Sequence, residues 1–299
     1  MQVDLPKSGV YVAAISGGVD SMALLHMLQA RRLQAQSDPL IIIVAHLDHG
    51  IRDDSSQDRM LVQEIAGIYG MPFVFDEAVL GNSASEATAR QARYAFLNKV
   101  VKNSAAQAII TAHHEDDALE TAILNIARGS GRKGMTSLSS RDELLRPLIE
   151  VSKKDLINYA QTNGLKWRED STNNDTKYKR NHIRHNVVGK FDKDTKDELK
   201  QLIHKTRLAN EEIDEILNTM LGEHLTDNIL DRNWLVSLPH NLGREVLATW
   251  LRQNNYREFD KKTLERLIVG AKVAKNGAKI EIIKNAKMLV KKDELCLVK

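Results

Sequence analysis

In the first half of the chain, short apolar runs alternate with segments whose apolar residues recur at helical spacing. Each run is apolar throughout, which is typical of strands buried on both faces of a parallel sheet. The predicted strands are residues 10–15, 40–47, 72–78 and 108–112. The predicted helices are residues 22–32, 56–69, 85–102 and 116–127. This order predicts an open α/β domain, a parallel sheet flanked by helices, with ligands at the carboxyl ends of its strands.

The second half of the chain has a different pattern. A helix is predicted at residues 153–163, and a polar stretch rich in Asp, Asn and Thr follows at 167–179. Apolar residues then recur at helical spacing across 194–221, which predicts a long amphipathic connecting helix. The alternating apolar and basic residues near the end of the chain predict a small antiparallel sheet. Its strands are expected at 279–283, 287–290 and 295–298.

These patterns predict two domains. The α/β domain is expected at residues 1–192. The connecting helix and a smaller, mostly helical domain that ends in the antiparallel sheet are expected at residues 193–299.

Composition narrows the class of protein. Of the 299 residues, 42% are hydrophobic and 28% are charged, which excludes a disordered or low-complexity chain. No apolar run reaches the roughly 18 residues of a membrane span, and the first ten residues lack a signal-peptide pattern. The single cysteine, Cys296, excludes a disulfide framework and a Cys-rich metal site. We therefore expect a soluble, cytoplasmic protein without a membrane partner.

The net charge of +3 is unevenly distributed along the chain. Residues 261–299 hold eleven Lys/Arg and four Asp/Glu, a net charge of +7, which leaves −4 for residues 1–260. A basic segment of this kind either meets nucleic-acid phosphates or forms a solvated lysine-rich surface.

One motif lies directly between the first predicted strand and the first predicted helix. It consists of Ser16, Gly17, Gly18, Val19, Asp20 and Ser21. Its glycines leave backbone N–H groups uncovered at a helix N-terminus, which suits a phosphate. A carboxylate there repels phosphate unless a cation separates them, so we expect Asp20 to hold Mg²⁺. The alternative, a glycine-rich turn with a serine cap, leaves Asp20 unexplained.

Polar side chains also follow two other predicted strands. His46 and Asp48 end the second run, where they either contact a ligand or begin a loop. His113 follows the fourth run, and Asp117 and Glu120 lie three apart on one face of the next helix. Clustered carboxylates at the ligand edge favour binding of a cation, although stabilisation of the helix N-terminus would also explain them.

Arginines form two pairs at helical spacing. Arg90 and Arg93 are three apart, and Arg180 and Arg184 are four apart. Arginine stays charged and grips phosphate with two donors, so these side chains are candidates for the phosphates of ATP or RNA. A solvated basic face is the alternative.

Taken together, these motifs resemble a known enzyme family. The match comprises residues 16–21, 46–52, 86–94, 111–121, 128–131 and 180–184. The sequence SGGVDS alone resembles the N-type ATP pyrophosphatases, which split ATP into AMP and pyrophosphate. Its combination with HHEDDALET and RNHIR is similar to the tRNA(Ile)-lysidine synthetases, in the short form with one C-terminal domain.

The resemblance implies a two-step ligation. ATP first adenylates O2 of cytidine 34 in the CAU anticodon of tRNA(Ile), with release of pyrophosphate. The side-chain amine of L-lysine then displaces AMP from C2, and the resulting lysidine changes decoding from AUG to AUA.

The resemblance also implies roles for individual residues. It implies ATP contacts at residues 16–21, His46, Asp48 and Arg90. It implies lysine contacts at His113, Asp117 and Glu120. It implies tRNA or phosphate contacts at Arg93, Arg128, Arg180 and Arg184, with residues 193–299 as a tRNA-binding domain. The implied catalytic residues are Asp20, His113 and Asp117, with Mg²⁺ at Asp20.

Family members often form homodimers, so the resemblance implies that state as well. Three other functions remain open. A tRNA-thiolating relative needs catalytic cysteines or a cluster, and Cys296 is a poor candidate for either. An amide-forming ligase of the same fold leaves the basic segment and RNHIR unexplained. A non-catalytic RNA-binding module leaves Asp20 unexplained.

Overall fold

The chain was analysed as a computed structural model. The structure describes residues 3–34, 39–48, 50, 55–78, 86–168, 179–256 and 259–298. Residues 169–178 of the predicted polar stretch, and His49, Ile51 and Arg52 of the motif at 46–52, lie outside this description. The chain divides into two compact units, Met1–Ile203 and His204–Lys299.

The first unit contains a five-stranded parallel sheet, which confirms the predicted fold class. The strands are β1 Gly9–Ala14, β2 Leu40–Asp48, β3 Phe73–Glu77, β4 Ala108–Thr111 and β5 Leu144–Leu145, in the order β3-β2-β1-β4-β5. The helices are α1 Val19–Gln34, α2 Ser55–Ile68, α3 Glu86–Ser104, α4 Glu115–Ala127, α5 Arg132–Met135, α6 Lys153–Thr162 and α7 Lys179–Asn186. The sequence pattern did not predict β5, because two residues show no periodicity.

Both faces of this sheet are covered, as the continuously apolar strands predicted. Val12 and Ala13, adjacent on β1, are both fully buried but belong to different hydrophobic clusters. Ala13 packs with residues of α1 such as Leu24, and Val12 packs with Phe96 and Leu97 of α3. The edge strand β3 is more exposed than the central strands.

The strand order determines where a ligand site forms. Successive strands are added on one side of β1 up to β3 and on its other side from β4 onwards, so β1 has β2 as one neighbour and β4 as the other. In register, Ala14 lies opposite both Ala45 of β2 and Thr111 of β4. The carboxyl ends of these three strands therefore meet at one edge, at the switch point where open α/β sheets bind ligands.

A separate small cluster packs α7 against α4. Leu119 of α4 and Ile183 of α7 are buried together with Val188. Leu199 and Ile203 complete this cluster from helix α8, which spans Lys193–Gly222 and is close to the predicted 194–221. The division between the two units falls inside α8, and the predicted boundary between residues 192 and 193 falls at its first residue.

The second unit contains the predicted small antiparallel sheet. Its strands are β6 Leu225–Thr226, β7 Ile229–Asp231, β8 Ala278–Ile283, β9 Ala286–Val290 and β10 Glu294–Val298, in the order β6-β7-β10-β9-β8. Its helices are α9 Arg232–Ser237, α10 His240–Gln253 and α11 Lys261–Val273. The fully buried Trp250 lies in the core between helices and sheet. Within the described part of the chain, no helix combines the length and apolarity needed to cross a membrane.

We expect the turn after β1 to depend on glycine at one position. Gly17 has φ of +94°, a conformation that costs an L-residue about 1–2 kcal/mol. A Cβ there would also lie 3.4 Å from the Cβ of Asp58. Gly17→Ala should therefore lower the free energy of unfolding of the first unit by about 1–2 kcal/mol, measured by urea unfolding with circular dichroism.

Gly18→Ala is the matched control. A Cβ on Gly18 would lie in ordinary contact, 3.7 Å from Ser16 Oγ, so a clearly smaller loss of stability is expected. Equal losses in the two variants would contradict the role given to the backbone conformation of Gly17.

Candidate active site at the carboxyl edge of the parallel sheet

The loop between β1 and α1 is closed by a single hydroxyl group. Ser21 Oγ accepts hydrogen bonds from Ser16 N at 3.2 Å and Gly17 N at 3.1 Å, and donates to Gly18 O at 2.9 Å. The Gly17 N–H, which was expected to face an anion, is therefore occupied within the loop. The backbone N–H groups of the first turn of α1 have no partner inside the helix, so they remain suited to an anion.

Arg168, about 150 residues further along the chain, binds this loop and links it to Asp58. Arg168 N donates to Gly17 O at 3.0 Å, and Arg168 Nε donates to Asp58 Oδ1 at 2.6 Å. Asp58 lies in the first turn of α2 and is buried. The loop is thus fixed between its own helix and a second helix, and no local sequence signal pointed to these contacts.

Asp20 lies in the first turn of α1 and is bound by a lysine. Both carboxylate oxygens of Asp20 lie 2.7 Å from Lys153 Nζ, at the start of α6. On the other side, His114 Nε2 lies 3.7 Å from Asp20 Oδ2 and 3.5 Å from Asp117 Oδ2. Neither Lys153 nor His114 was predicted as a site residue, although the His113-His114 doublet marked the position of the latter.

The predicted carboxylate pair and the predicted arginine pair meet each other. Arg180 lies 2.9 Å from Asp117 Oδ1 through Nη2 and 3.0 Å from Glu120 Oε2 through Nε. Arg184 Nε lies 2.6 Å from Glu120 Oε1, and its Nη2 lies 3.4 Å from Asp117 Oδ1. Glu120 is fully buried. In this structure the arginines therefore bind the carboxylates, whereas the sequence assigned the arginines to phosphates and the carboxylates to lysine.

The pKa values in this cluster follow from the contacts. Burial raises the pKa of Asp117, but His114 and Arg180 outweigh it and hold that pKa below its ordinary value. Burial lowers the pKa of Arg184, but its bonds to Glu120 raise it above the ordinary value. Asp117 and Arg184 are thus both stabilised in their charged forms.

The other two carboxylates at the start of α4 also have cationic partners. Lys196 Nζ of α8 lies 3.3 Å from Asp116 Oδ1, and Lys200 Nζ lies 3.1 Å from Glu115 Oε2. Among the described residues, no group of three or more His, Cys, Asp or Glu side chains is arranged to hold a metal ion. Any cation at this edge would therefore depend on ligand oxygens to complete its shell.

His46 and Asp48 lie where β2 ends. His46 is buried, and its Nδ1 donates to Ile15 O at 2.8 Å, so it joins the end of β2 to the start of the loop after β1. Burial lowers the pKa of His46. Burial raises the pKa of Asp48, but hydrogen bonds from Gly50 N and Ser55 outweigh it and lower that pKa, which favours the carboxylate.

The remaining predicted arginines differ in exposure. Arg90 is half-buried, with its guanidinium carbon 4.8 Å from the centre of the Tyr94 ring. Arg93 on α3 and Arg128 at the end of α4 are exposed.

His113 lies at the end of β4 and is held neutral. Its Nδ1 lies 2.8 Å from Thr111 Oγ1. Burial lowers the pKa of His113 to about 3, against the opposing effect of Asp117 and together with the charges of Arg146, Arg90 and Arg180. The imidazole is therefore uncharged at neutral pH and acts as a hydrogen-bonding group there.

The ring-nitrogen shifts of His113, measured by NMR, should accordingly stay those of a neutral imidazole between pH 8 and about pH 5, with H113Q used for assignment. Since the folded state binds fewer protons than the unfolded state, stability falls as the pH falls from 6.5 towards about 3. The H113Q variant should lose less stability over that range. A titration midpoint of His113 near 6.5 would contradict the burial effect.

The chain is similar in sequence to a known domain family and to several known proteins. The PP-loop domain family matches residues 2–191. The tRNA(Ile)-lysidine synthase of Idiomarina loihiensis is 28% identical over 289 residues, which cover 91% of this chain and 62% of that protein. The tRNA(Ile)-lysidine synthase of Lactiplantibacillus plantarum is 32% identical over 272 residues, which cover 86% of this chain and 59% of that protein. The chain therefore spans less than two thirds of the length of either relative.

A solved structure shares the fold. It is the U34-tRNA thiolase NcsA from Methanococcus maripaludis with its 4Fe-4S cluster, with 14% identity and a TM-score of 0.55 over 69% of this chain and 74% of that chain. The family match covers more than half of the 299 residues and includes the loop between β1 and α1 and both carboxylates held by the arginines. The chain therefore belongs to the PP-loop domain family.

Proposed function

We propose that this chain ligates L-lysine to C2 of cytidine 34 in the CAU anticodon of tRNA(Ile), with ATP as the second substrate and AMP and pyrophosphate as products. The observation that carries the proposal is the group formed by Asp20, His114 and Asp117 beside the N-terminus of α1. Asp20 lies in the first turn of α1, whose backbone N–H groups suit a phosphate, and a carboxylate beside them suits a cation that separates it from the phosphate. The relatives described above, named tRNA(Ile)-lysidine synthases, support the choice of reaction.

In the first step the phosphates of ATP would lie at the N-terminus of α1, where backbone N–H groups stabilise the charge that develops on the leaving pyrophosphate. The Lys153 ammonium adds positive charge beside Asp20. The donor set fits Mg²⁺, because this ion is usually held by one or two carboxylates together with substrate phosphates. Asp20 would hold it, and the ion would supply charge neutralisation at the phosphates.

In the second step Asp117 and Glu120 would bind the ammonium groups of lysine. Arg180 and Arg184 hold these carboxylates now, and both arginines are also proposed to bind tRNA phosphates. Both assignments hold if the arginines and lysine exchange places. The guanidinium groups of Arg180 and Arg184 would turn to tRNA phosphates, and the ammonium groups of lysine would take their place beside Asp117 and Glu120. The buried carboxylates would then keep a cationic partner throughout.

The attacking amine must lose a proton, since free lysine has a pKa near ~10.4. His113, with its pKa lowered to about 3, stays neutral and is too weak a base to keep that proton. We propose that desolvation in the site lowers the amine pKa, that the proton leaves to solvent water before the attack, and that His113 orients the neutral amine by accepting a hydrogen bond from it.

We further propose that residues 193–299 bind the tRNA, that the exposed Arg93 and Arg128 contact its backbone, and that His46, Asp48 and Arg90 contact ATP. A homodimeric state and a cytoplasmic location are proposed from the same family resemblance. A thiolase function is less well supported, because the chain has a single cysteine, Cys296, which lies in β10.

The direct test is incubation of the purified chain with tRNA(Ile) transcript, ATP and labelled lysine. We expect incorporation that is lost when cytidine 34 is replaced by uridine. Asp20→Asn should reduce the rate of incorporation roughly 10²- to 10³-fold, because Asp20 would hold the cation that stabilises charge developing on the phosphates in the transition state. Circular dichroism should show that the variant keeps its fold. Full activity of a folded Asp20→Asn enzyme would contradict the assigned role.

The lysine site has its own test. Asp117→Asn is expected to raise the KM for lysine roughly tenfold or more while leaving the KM for ATP nearly unchanged, since a charge-assisted contact to the ammonium group is lost. Asp116→Asn is the matched control, because Asp116 pairs with Lys196 instead of the arginines. Equal effects of Asp117→Asn on both KM values would count against the assignment.

A further inference from the structure

Arg146 is a buried arginine that the sequence analysis did not single out. It directly follows β5 and is only 2% exposed. Its Nη1 donates to Ser139 O, and its backbone N donates to Ser140 Oγ at 2.9 Å. Its Nε lies buried with no hydrogen-bond partner among the residues that the structure describes. The turn at 139–146 is therefore stabilised through Nη1 of the guanidinium group, whereas Nε of the same group has no hydrogen-bond partner among the described residues.

A second arginine is linked to Arg146 through Tyr94. Arg90 lies over the ring of Tyr94, with its Nη2 3.4 Å from the phenol oxygen. The phenol also forms a hydrogen bond with Arg146. Within the described parts of the chain, neither Arg90 nor Arg146 has a carboxylate within 4.0 Å, in contrast to Arg180 and Arg184.

This arrangement is electrostatically unbalanced. Burial lowers the pKa of Arg146, Tyr94 raises it, and the nearby charges of Arg141 and Arg90 lower it further. Arginine nevertheless stays protonated in proteins, so Arg146 carries a buried positive charge. A buried charge without a partner is costly, and like charges close by add to the cost. An anion between the guanidinium groups would remove both penalties.

The position of Arg146 connects it to the candidate active site. Ile110 of β4 lies in register with Leu145 of β5, so Arg146 follows β5 at the level where Thr111 ends β4. His113 comes two residues later, and both Arg146 and Arg90 act on its pKa. The unbalanced positive charge therefore lies at the same carboxyl edge as the loop between β1 and α1.

We infer that Arg146 and Arg90 form a buried phosphate-binding subsite at the carboxyl ends of β4 and β5. Guanidinium groups match phosphate oxygens with paired donors, and a phosphate group between two of them offsets positive charge that is otherwise unpaired. Lysine brings a net positive charge and would add to the imbalance. The inference rests on the proposed function in one respect: that function supplies the two molecules, ATP and tRNA, from which the phosphate group could come.

The test measures binding to the full-length chain at fixed ionic strength by isothermal titration calorimetry. The two probes are α,β-methylene-ATP and a 17-nucleotide anticodon stem-loop with the CAU anticodon. Arg146→Gln is expected to weaken one probe roughly 10- to 100-fold, since charge-assisted hydrogen bonds are lost. A loss of affinity for the ATP analogue would show that the subsite binds a phosphate of the nucleotide. A loss of affinity for the stem-loop would show that it binds a phosphate of the RNA backbone.

Arg141→Gln is the matched control, because Arg141 is exposed and its backbone contacts with Leu144 do not involve its side chain. It should change either affinity less than about threefold. If Arg146→Gln fails to fold, Arg90→Gln takes its place, since Arg90 is only half-buried.

Two results would overturn the inference. One is unchanged affinity of folded Arg146→Gln for both probes, and the other is a rise in the lysine KM with no change in either affinity, which would identify a carboxylate ligand. Because the binding measurements do not require lysidine to form, a chain that fails to modify tRNA but loses phosphate affinity on Arg146→Gln would disprove the proposed function and support the subsite.

Discussion

The carboxyl edge of the parallel sheet depends on one requirement: a fully buried carboxylate must have a cationic partner. Glu120 is 0% exposed, and Arg180 and Arg184 both bind it. This need brings α7 onto α4, and the small cluster around Leu119 and Ile183 then fixes the contact by packing. The contact between α4 and α7 therefore combines charge compensation at Glu120 with hydrophobic packing around Leu119 and Ile183.

The same principle accounts for the uneven charge at this edge. The carboxylates of α4 are matched by cations from α7 and α8, whereas Arg90 and Arg146 have no such match within the described residues. In one half of the site, around α4, the charges are paired, and in the other half, around Arg90 and Arg146, the net charge is positive. The two halves therefore favour different ligands. The half with paired charges can exchange one cation for another, and the positive half attracts an anion.

Much of this fold follows from local pattern. The four longer strands of the parallel sheet, the long helix α8 and the three final strands were predicted within a few residues, because each has a period that its own residues define. Contacts across the chain had no such signal. The spacing of Arg180 and Arg184 predicted a basic face, but periodicity does not indicate which element that face meets. Lys153 and Arg168 were missed for this reason, since each acts on a loop more than one hundred residues away.

That separation has a consequence for the order in which the site is assembled. Lys153 and Arg168, which bind Asp20 and Gly17, are added to the growing chain about 130 to 150 residues after the loop at residues 16–21. At typical rates of 5–20 residues per second this is a delay on the order of ten seconds. During that interval the nascent chain carries the nucleotide motif without its supports. The segment that is easiest to recognise in the sequence therefore gains these supporting contacts only after Lys153 and Arg168 have been added.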